Sequence, residues 1–318
     1  MTHSDAAGAA VEGREDAMAD AWARTMWECY EPVHDLVYFA PEARRAADGL
    51  GLRGFWMGYF ALRAAPLGPV SAPVVTSCFY VFHPDRVARA LPDAWGYASP
   101  ARVLAARAGA MDAAMSRLFG PDAVASPELA EAADLAWEAA SRADTAGRVL
   151  AAANQALDRP ERPHVRLWQA LTTLREQRGE GHIAVLLSHG LGPVEAMVLK
   201  AAAGESDGPF LRETRKWDVP AWQAAEAALR ERGLLDEQGT LTPAGVGVRD
   251  TVEEQTDRAA GQPWNAVGPA AAARLAALLE PLARTVREAG LLPPGNPVGL
   301  TGRHAGGGER AAGAGATR

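Results

Sequence analysis

Apolar residues recur at three- and four-residue spacing over most of the chain, and alternating runs are scarce, so the pattern predicts helices almost throughout. Three amphipathic helices are predicted in succession over residues 99–158, from SPARVLAARAGAMDAAMSRLFG, SPELAEAADLAWEAASRAD and TAGRVLAAANQAL. The first two open with Ser-Pro, a side-chain N-cap followed by proline where a helix needs no N–H. A loop is expected at ALDRPERPHV, then a long helix over about 165–178. The two glycines around Glu180 in RGEGH read as a helix stop or a tight turn. The run 74–82 (VVTSCFYVF), apolar, β-branched and aromatic, is the strongest strand prediction outside 190–260.

Residues 190–260 carry an ordered set of signals. GPVEAMVLKAAAG reads as a helix ending at Gly204, and GPFLRETRKW follows a polar turn. Asp218 is placed to cap VPAWQAAEAALRERG, LLDEQGTLTPAG reads as a hairpin, and Thr242-Pro243 restarts a helix. That order is a winged helix-turn-helix. The expected fold is mainly α: a helical N-terminal region plus a winged helix-turn-helix domain with a small β-hairpin wing. The expected boundaries are a disordered 1–16, an aromatic-rich helical domain over 17–160, a winged-helix domain with flanking helices over 161–295, and a disordered tail over 296–318. The apolar helix 269–292, interrupted by Pro281, could seal a homodimer, with packing on its own domain as the simpler account.

Composition changes this picture in two places. Of the 21 aromatic residues, 14 fall between 22 and 97, so the helical region is where flat apolar walls concentrate. The net charge of −7 argues against a protein that coats nucleic acid. No apolar run is long enough to span a membrane, and the N-terminus lacks a secretory pattern. Cys29 and Cys78 fit a reducing cytosol, so a cytoplasmic location is expected. No dinucleotide, P-loop, nucleophile-elbow or zinc-protease motif occurs, so no cofactor and no metal is expected.

Charge also weighs on the winged helix. The segment 195–258 holds eight cations and thirteen anions. On the recognition helix, Trp222, Ala225 and Leu229 face the core, leaving only Gln223 and Arg230 as base- or phosphate-reading groups, with Glu226 repelling phosphate. Arg212, Arg215 and Lys216 form a small basic cluster ahead of it. DNA binding is therefore the second reading, and a winged helix retained as scaffold the first.

Four constellations could carry chemistry. Glu31, His34, Tyr38 and Phe39 fall at helical spacing past Pro32, and a histidine beside a carboxylate is an acid/base pair; the plainer reading is a buried, hydrogen-bonded histidine. Arg53, Trp56, Tyr59, Phe60 and Arg63 form an aromatic stripe with arginines able to hold an anionic group, or simply a packing stripe. As a strand, 74–82 would align Cys78, Tyr80 and Phe82 with His83 opposite, a weak nucleophile arrangement. Finally Arg178, Glu180 and His182 could point from a loop into one cavity, or hold a structural junction; His182 and His189 are two turns apart, which suits no shared metal.

The stretches EPVHDLVYFAPEARRA, GLRGFWMGYFALRAAPLGPV, LREQRGEGHIAVL, LTPAGVGVRDTVEEQTD and LLPPGNPVGL resemble the SalK-like helix-turn-helix family of actinobacteria, over about residues 20–300. The resemblance implies an all-helical region joined to a winged helix and no known reaction. Its members often sit near natural-product genes, which points toward small molecules. Glu180 stands where that pattern has aspartate. The expectation is thus a protein that binds a small hydrophobic or aromatic metabolite, with His34, Glu180 and His182 as the acid/base residues if it is an enzyme of natural-product metabolism. Tyr38, Phe39, Arg53, Trp56, Tyr59, Phe60, Arg63, Tyr80, His83 and Arg178 would line its site. The alternative is a ligand-responsive regulator binding DNA as a dimer through Arg212, Arg215, Lys216, Gln223 and Arg230.

Overall fold

Apolar spacing of three and four residues becomes seventeen helices in the computed structural model, which describes residues 22–292. The termini expected to be disordered lie outside these residues, save for 17–21 being likewise undescribed. α1 (22–34) turns at Asp35 into the short α2 (Leu36–Phe39), followed by α3 (Pro41–Gly49) and α4 (Gly54–Ala64). α5 (Ala72–Cys78), α6 (Pro84–Ala88) and α7 (Ala94–Tyr97) are short, and α8 (Pro100–Val124), α9 (Pro127–Ser141) and α10 (Val149–Gln155) lead into the 26-residue α11 (Pro163–Ser188). α12 (Pro193–Ala202), α13 (Gly208–Arg215) and α14 (Val219–Glu231) form the helix-turn-helix part, and α15 (Pro243–Ala260), α16 (Gln262–Val267) and α17 (Pro269–Glu288) close the chain.

The Ser-Pro starts behave as expected: Ser99 accepts from Arg102 N and Ser126 from Leu129 N. Asp218 and Thr242 cap α14 and α15 in the same way. The strand prediction at 74–82 is corrected. Val75, Cys78, Phe79 and Phe82 are buried at positions i, i+3, i+4 and i+7, a helical face. Pro73 favours the first turn, and Thr76 and Ser77 return their hydroxyls to the carbonyls of Ala72 and Val74.

RGEGH does not stop a helix; α11 runs through it. A Cβ on Gly181 would come within 3.3 Å of the Ala259 Cβ, so the glycine lets α15 approach rather than breaking the turn. Pro281 likewise lies inside a continuous α17. The hairpin wing is also corrected. No strand forms among the described residues, and the arms meet at a single antiparallel bridge, Leu235 to Leu241. They are too short for a ladder, because Gly233 ends α14 and Thr242 already caps α15; Asp236 Oδ1 holds the intervening turn through Gln238 N and Thr240 N. A Cβ at Gly245 would lie 2.1 Å from the Leu234 carbonyl oxygen, so α15 packs hard against this turn.

Two apolar cores result. One joins α1–α10 and the first half of α11 to Ala260, Trp264, Leu275, Leu279 and Val286 near the C-terminal end. The other gathers Val185 and Leu186 of α11 with Met197, Leu211 and Leu229 of the helix-turn-helix part and Val252 of α15. α11, about 39 Å long at about 1.5 Å per residue, thus contributes to both. The buried face of α17 packs on α9 and α8. Among the described residues no single helix is long and apolar enough to cross a membrane.

Candidate functional site

The turn at Asp35 starts the site. With α1 broken there, the His34 carbonyl is free to accept from the Trp168 indole N–H (3.2 Å), which ties α1 to the middle of α11. His34 itself is 1% exposed. Thr172 donates its hydroxyl to the Trp168 carbonyl (2.9 Å), so its oxygen accepts from His34 Nδ1 (3.1 Å), and His34 Nε2 accepts from the Tyr38 hydroxyl (2.9 Å). This is the pattern of a neutral imidazole. Burial, then the charge of Arg175, pushes its pKa well below the usual histidine value, in agreement.

Around this chain lies a buried ionic cluster. Arg63 of α4 donates from Nε and Nη2 to both oxygens of Glu176, each at 2.8 Å, and Arg175 reaches Glu176 at 3.0 Å and Glu31 at 3.2 Å. Burial alone would raise Glu176, but Arg63 and Arg175 outweigh it and hold the carboxyl below its usual range. The opposite holds for Asp35, where burial and then Glu31 push the pKa well up. Neither Asp35 carboxyl oxygen has a hydrogen-bond partner, nor has Glu31 Oε2. A cavity of about 10 Å³, room for about one water, lies among His34, Tyr38, Arg63, Arg107, Trp168 and Glu176.

A packed line leads from here to the winged helix. The Arg63 guanidinium lies 4.1 Å from the Phe79 ring centre, Phe79 is 6.4 Å from Phe82, and Arg215 stands 4.6 Å over Phe82. The α13–α14 turn is gripped from the same side: His83 N donates to Arg215 O (3.0 Å), Arg86 to Glu213 O (2.8 Å) and the Trp217 indole to Val81 O (2.8 Å). Lys216 meets Asp85 at 3.4 Å. On α14 the exposed residues are Val219, Pro220, Gln223, Ala224, Ala227 and Glu231, without a cation among them. Arg230 is turned onto Asp236 O and Glu226, and Arg212 onto Glu213.

The profile of a helix-turn-helix family matches residues 23–293. The chain belongs to that family. No curated protein and no solved structure matches it significantly. Because the match spans both cores, the family signature includes the helical body as well as the helix-turn-helix part.

In this helix-turn-helix family protein the anticipated residues separate into groups. His34, Tyr38 and Arg63 meet at the polar centre, with Phe39 edge-on to Tyr38 at 6.2 Å. Trp56, Tyr59 and Phe60 pack against Phe55, Phe79 and Phe82. Arg53 leaves the stripe and lies 5.0 Å from the Tyr97 ring, beside an open groove of about 420 Å³. Tyr80 donates to Leu191 O (2.6 Å), and His83 caps α6 while standing edge-on to Trp217. Burial raises the Cys78 pKa, the reverse of what a nucleophilic thiol needs.

Glu180 and His182 do not share a cavity, because two residues along α11 turn their directions about 200° apart. Glu180 accepts from Leu150 N and Ala151 N, both at 2.9 Å, and so caps α10. His182 donates from Nδ1 to Thr256, whose hydroxyl goes on to Val252 O. Arg178 pairs with Asp257 at 2.7 Å. Among the described residues no group of side chains suits a metal. Asp35, Arg107, Trp168, Thr172, Arg175 and Glu176 are members of the centre that the sequence reading lacked. Arg107 carried a signal: it lies four residues from both Val103 and Met111, on the buried face of α8.

Proposed function

We propose that this chain is a conditional helix-turn-helix regulator in a closed state, and that it falls among the SalK-like actinobacterial members of its family. One observation carries the reading: the cations flanking the helix-turn-helix turn are all engaged, Arg215 on Phe82, Lys216 on Asp85 and Arg212 on Glu213. Phosphate anchoring needs free cations at such a turn, so release from the helical body is the step that would make DNA contact available. The small-molecule signal is read in the helical body, which the Arg63–Phe79–Phe82–Arg215 line joins to the turn.

The test leaves the winged helix intact. Asp85→Lys places a like charge against Lys216, and Arg86→Glu removes the donor to the Glu213 carbonyl and sets a carboxylate against that oxygen. We expect the wild type to pass through a duplex-DNA column at low salt and the double variant to be retained, eluting as salt rises. A double variant that flows through like the wild type overturns the regulator. The second reading, a winged helix kept as scaffold for a small-molecule-binding body, then gains, favoured by the exposed face of α14 having no cation.

A further inference from the structure

We propose that the cavity beside His34 is a binding site for a small monovalent anion of about chloride size, held by Arg107. Its charged walls are Arg63, Arg107 and Glu176. Arg63 is matched by the two-point contact with Glu176, which also serves Arg175. Burial and the charge of Arg175 keep His34 neutral. Arg107 is 3% exposed and donates only to neutral acceptors: Leu62 O (3.1 Å), Gln169 Oε1 (2.9 Å) and Asn154 Oδ1 (3.5 Å). Trp168 lies 5.2 Å from its guanidinium carbon. Among the described residues no carboxylate is within ion-pair distance of Arg107, so the cavity wall carries one positive charge in excess.

A buried charge without a counter-ion is costly, and a water in the cavity would hydrogen-bond but not neutralise it. Burial lowers the Arg107 pKa to about 10, consistent with an uncompensated guanidinium. The size of the cavity sets the class of ligand. Sulfate, phosphate and carboxylate metabolites are too large, whereas a halide is only slightly larger than water. The Tyr38 hydroxyl is spent on His34 as a donor, so the donors left to an anion are guanidinium N–H groups.

The inference concerns the helical body and is independent of whether the winged helix meets DNA, so the column experiment and this one fail separately. The full chain in gluconate buffer is titrated with sodium chloride or bromide at constant ionic strength while thermal unfolding is followed. We expect a saturable rise in Tm, about 2–3 °C per tenfold halide above the midpoint, and no rise with sulfate. Arg107→Met should lose the halide dependence and be no less stable than the wild type in gluconate. Superimposable wild-type curves in gluconate and chloride overturn the proposal, as does an unchanged halide response in the variant. Should Arg107→Met not fold, bromide-soaked wild-type crystals decide: an anomalous peak in the cavity supports the site, and water alone refutes it.

Discussion

Replacing Glu176 by glutamine keeps the shape of the polar centre and removes its central charge. Arg63 then loses both charge-assisted bonds and Arg175 one of its two carboxylate partners. Breaking one side of a buried ion pair costs about 3–5 kcal/mol, since the remaining charge stays desolvated. For about 270 folded residues, an unfolding entropy of about 2.1 cal/mol/K per residue gives about 0.57 kcal/mol per degree, so Tm should fall by about 5–9 °C. The pH dependence supplies a second check. The folded Glu176 carboxyl lies below its unfolded value, so its contribution is complete above about pH 4.3 and fades as pH falls. The gap between wild type and Glu176→Gln should therefore narrow in acid. A companion double variant, Arg63→Met with Glu176→Leu, should lose less than the single one. Differential scanning calorimetry between pH 3 and 8 measures all three quantities. A Tm loss under about 2 °C for Glu176→Gln, or a gap that widens in acid, would refute the reasoning.

Asp35→Asn should act in the other direction. The folded Asp35 carboxyl holds its proton above the unfolded value, so its stability term is present in acid and lost as pH rises; the variant should gain about 1–3 kcal/mol at pH 8 by chemical denaturation and nothing near pH 3. His182, lowered to about 4 by burial, stays neutral in the fold while the unfolded chain protonates near 6.5. Wild-type stability should thus fall by up to about 3 kcal/mol as pH drops from about 6.5 to about 4, and His182→Gln should flatten that limb. Glu180→Ala should cost about 1–2 kcal/mol and speed amide exchange at Leu150 and Ala151, with no other amide exposed to the same degree.

Local rules were legible in the sequence where the cause is local. Ser99, Ser126, Asp218 and Thr242 cap helices because a hydroxyl or carboxylate two or three residues before an N–H reaches it whatever else folds. The i, i+4 pair His34–Tyr38 is of the same kind. The run 74–82 misleads because alternation and helical spacing overlap over nine residues, and a proline two positions into α5 tips the balance. RGEGH misleads because the need for its glycine is tertiary, a clearance against Ala259 contributed about 80 residues later. Glu176 and Arg107 stayed hidden for that reason too. Their partners, Arg63 and Gln169, come from other helices; the chain around Arg107 shows only that it shares a buried face with Val103 and Met111, not what it meets there.

The placement of Trp264, Leu275 and Leu279 in the same core as Met26 and Trp168 makes the helix-turn-helix part an insertion within another fold. During synthesis the helical body cannot finish its interior until the whole insert has emerged, so early helices wait with part of their apolar face uncovered. Closure of so long an excursion is slow but thermodynamically mild, since loop entropy grows only with the logarithm of length. The insert is in turn clamped at both ends by α11 and α15, which pack on each other. A short linker joining those two helices should therefore yield a free-standing body, whose polar centre can be studied without the module that rests on it.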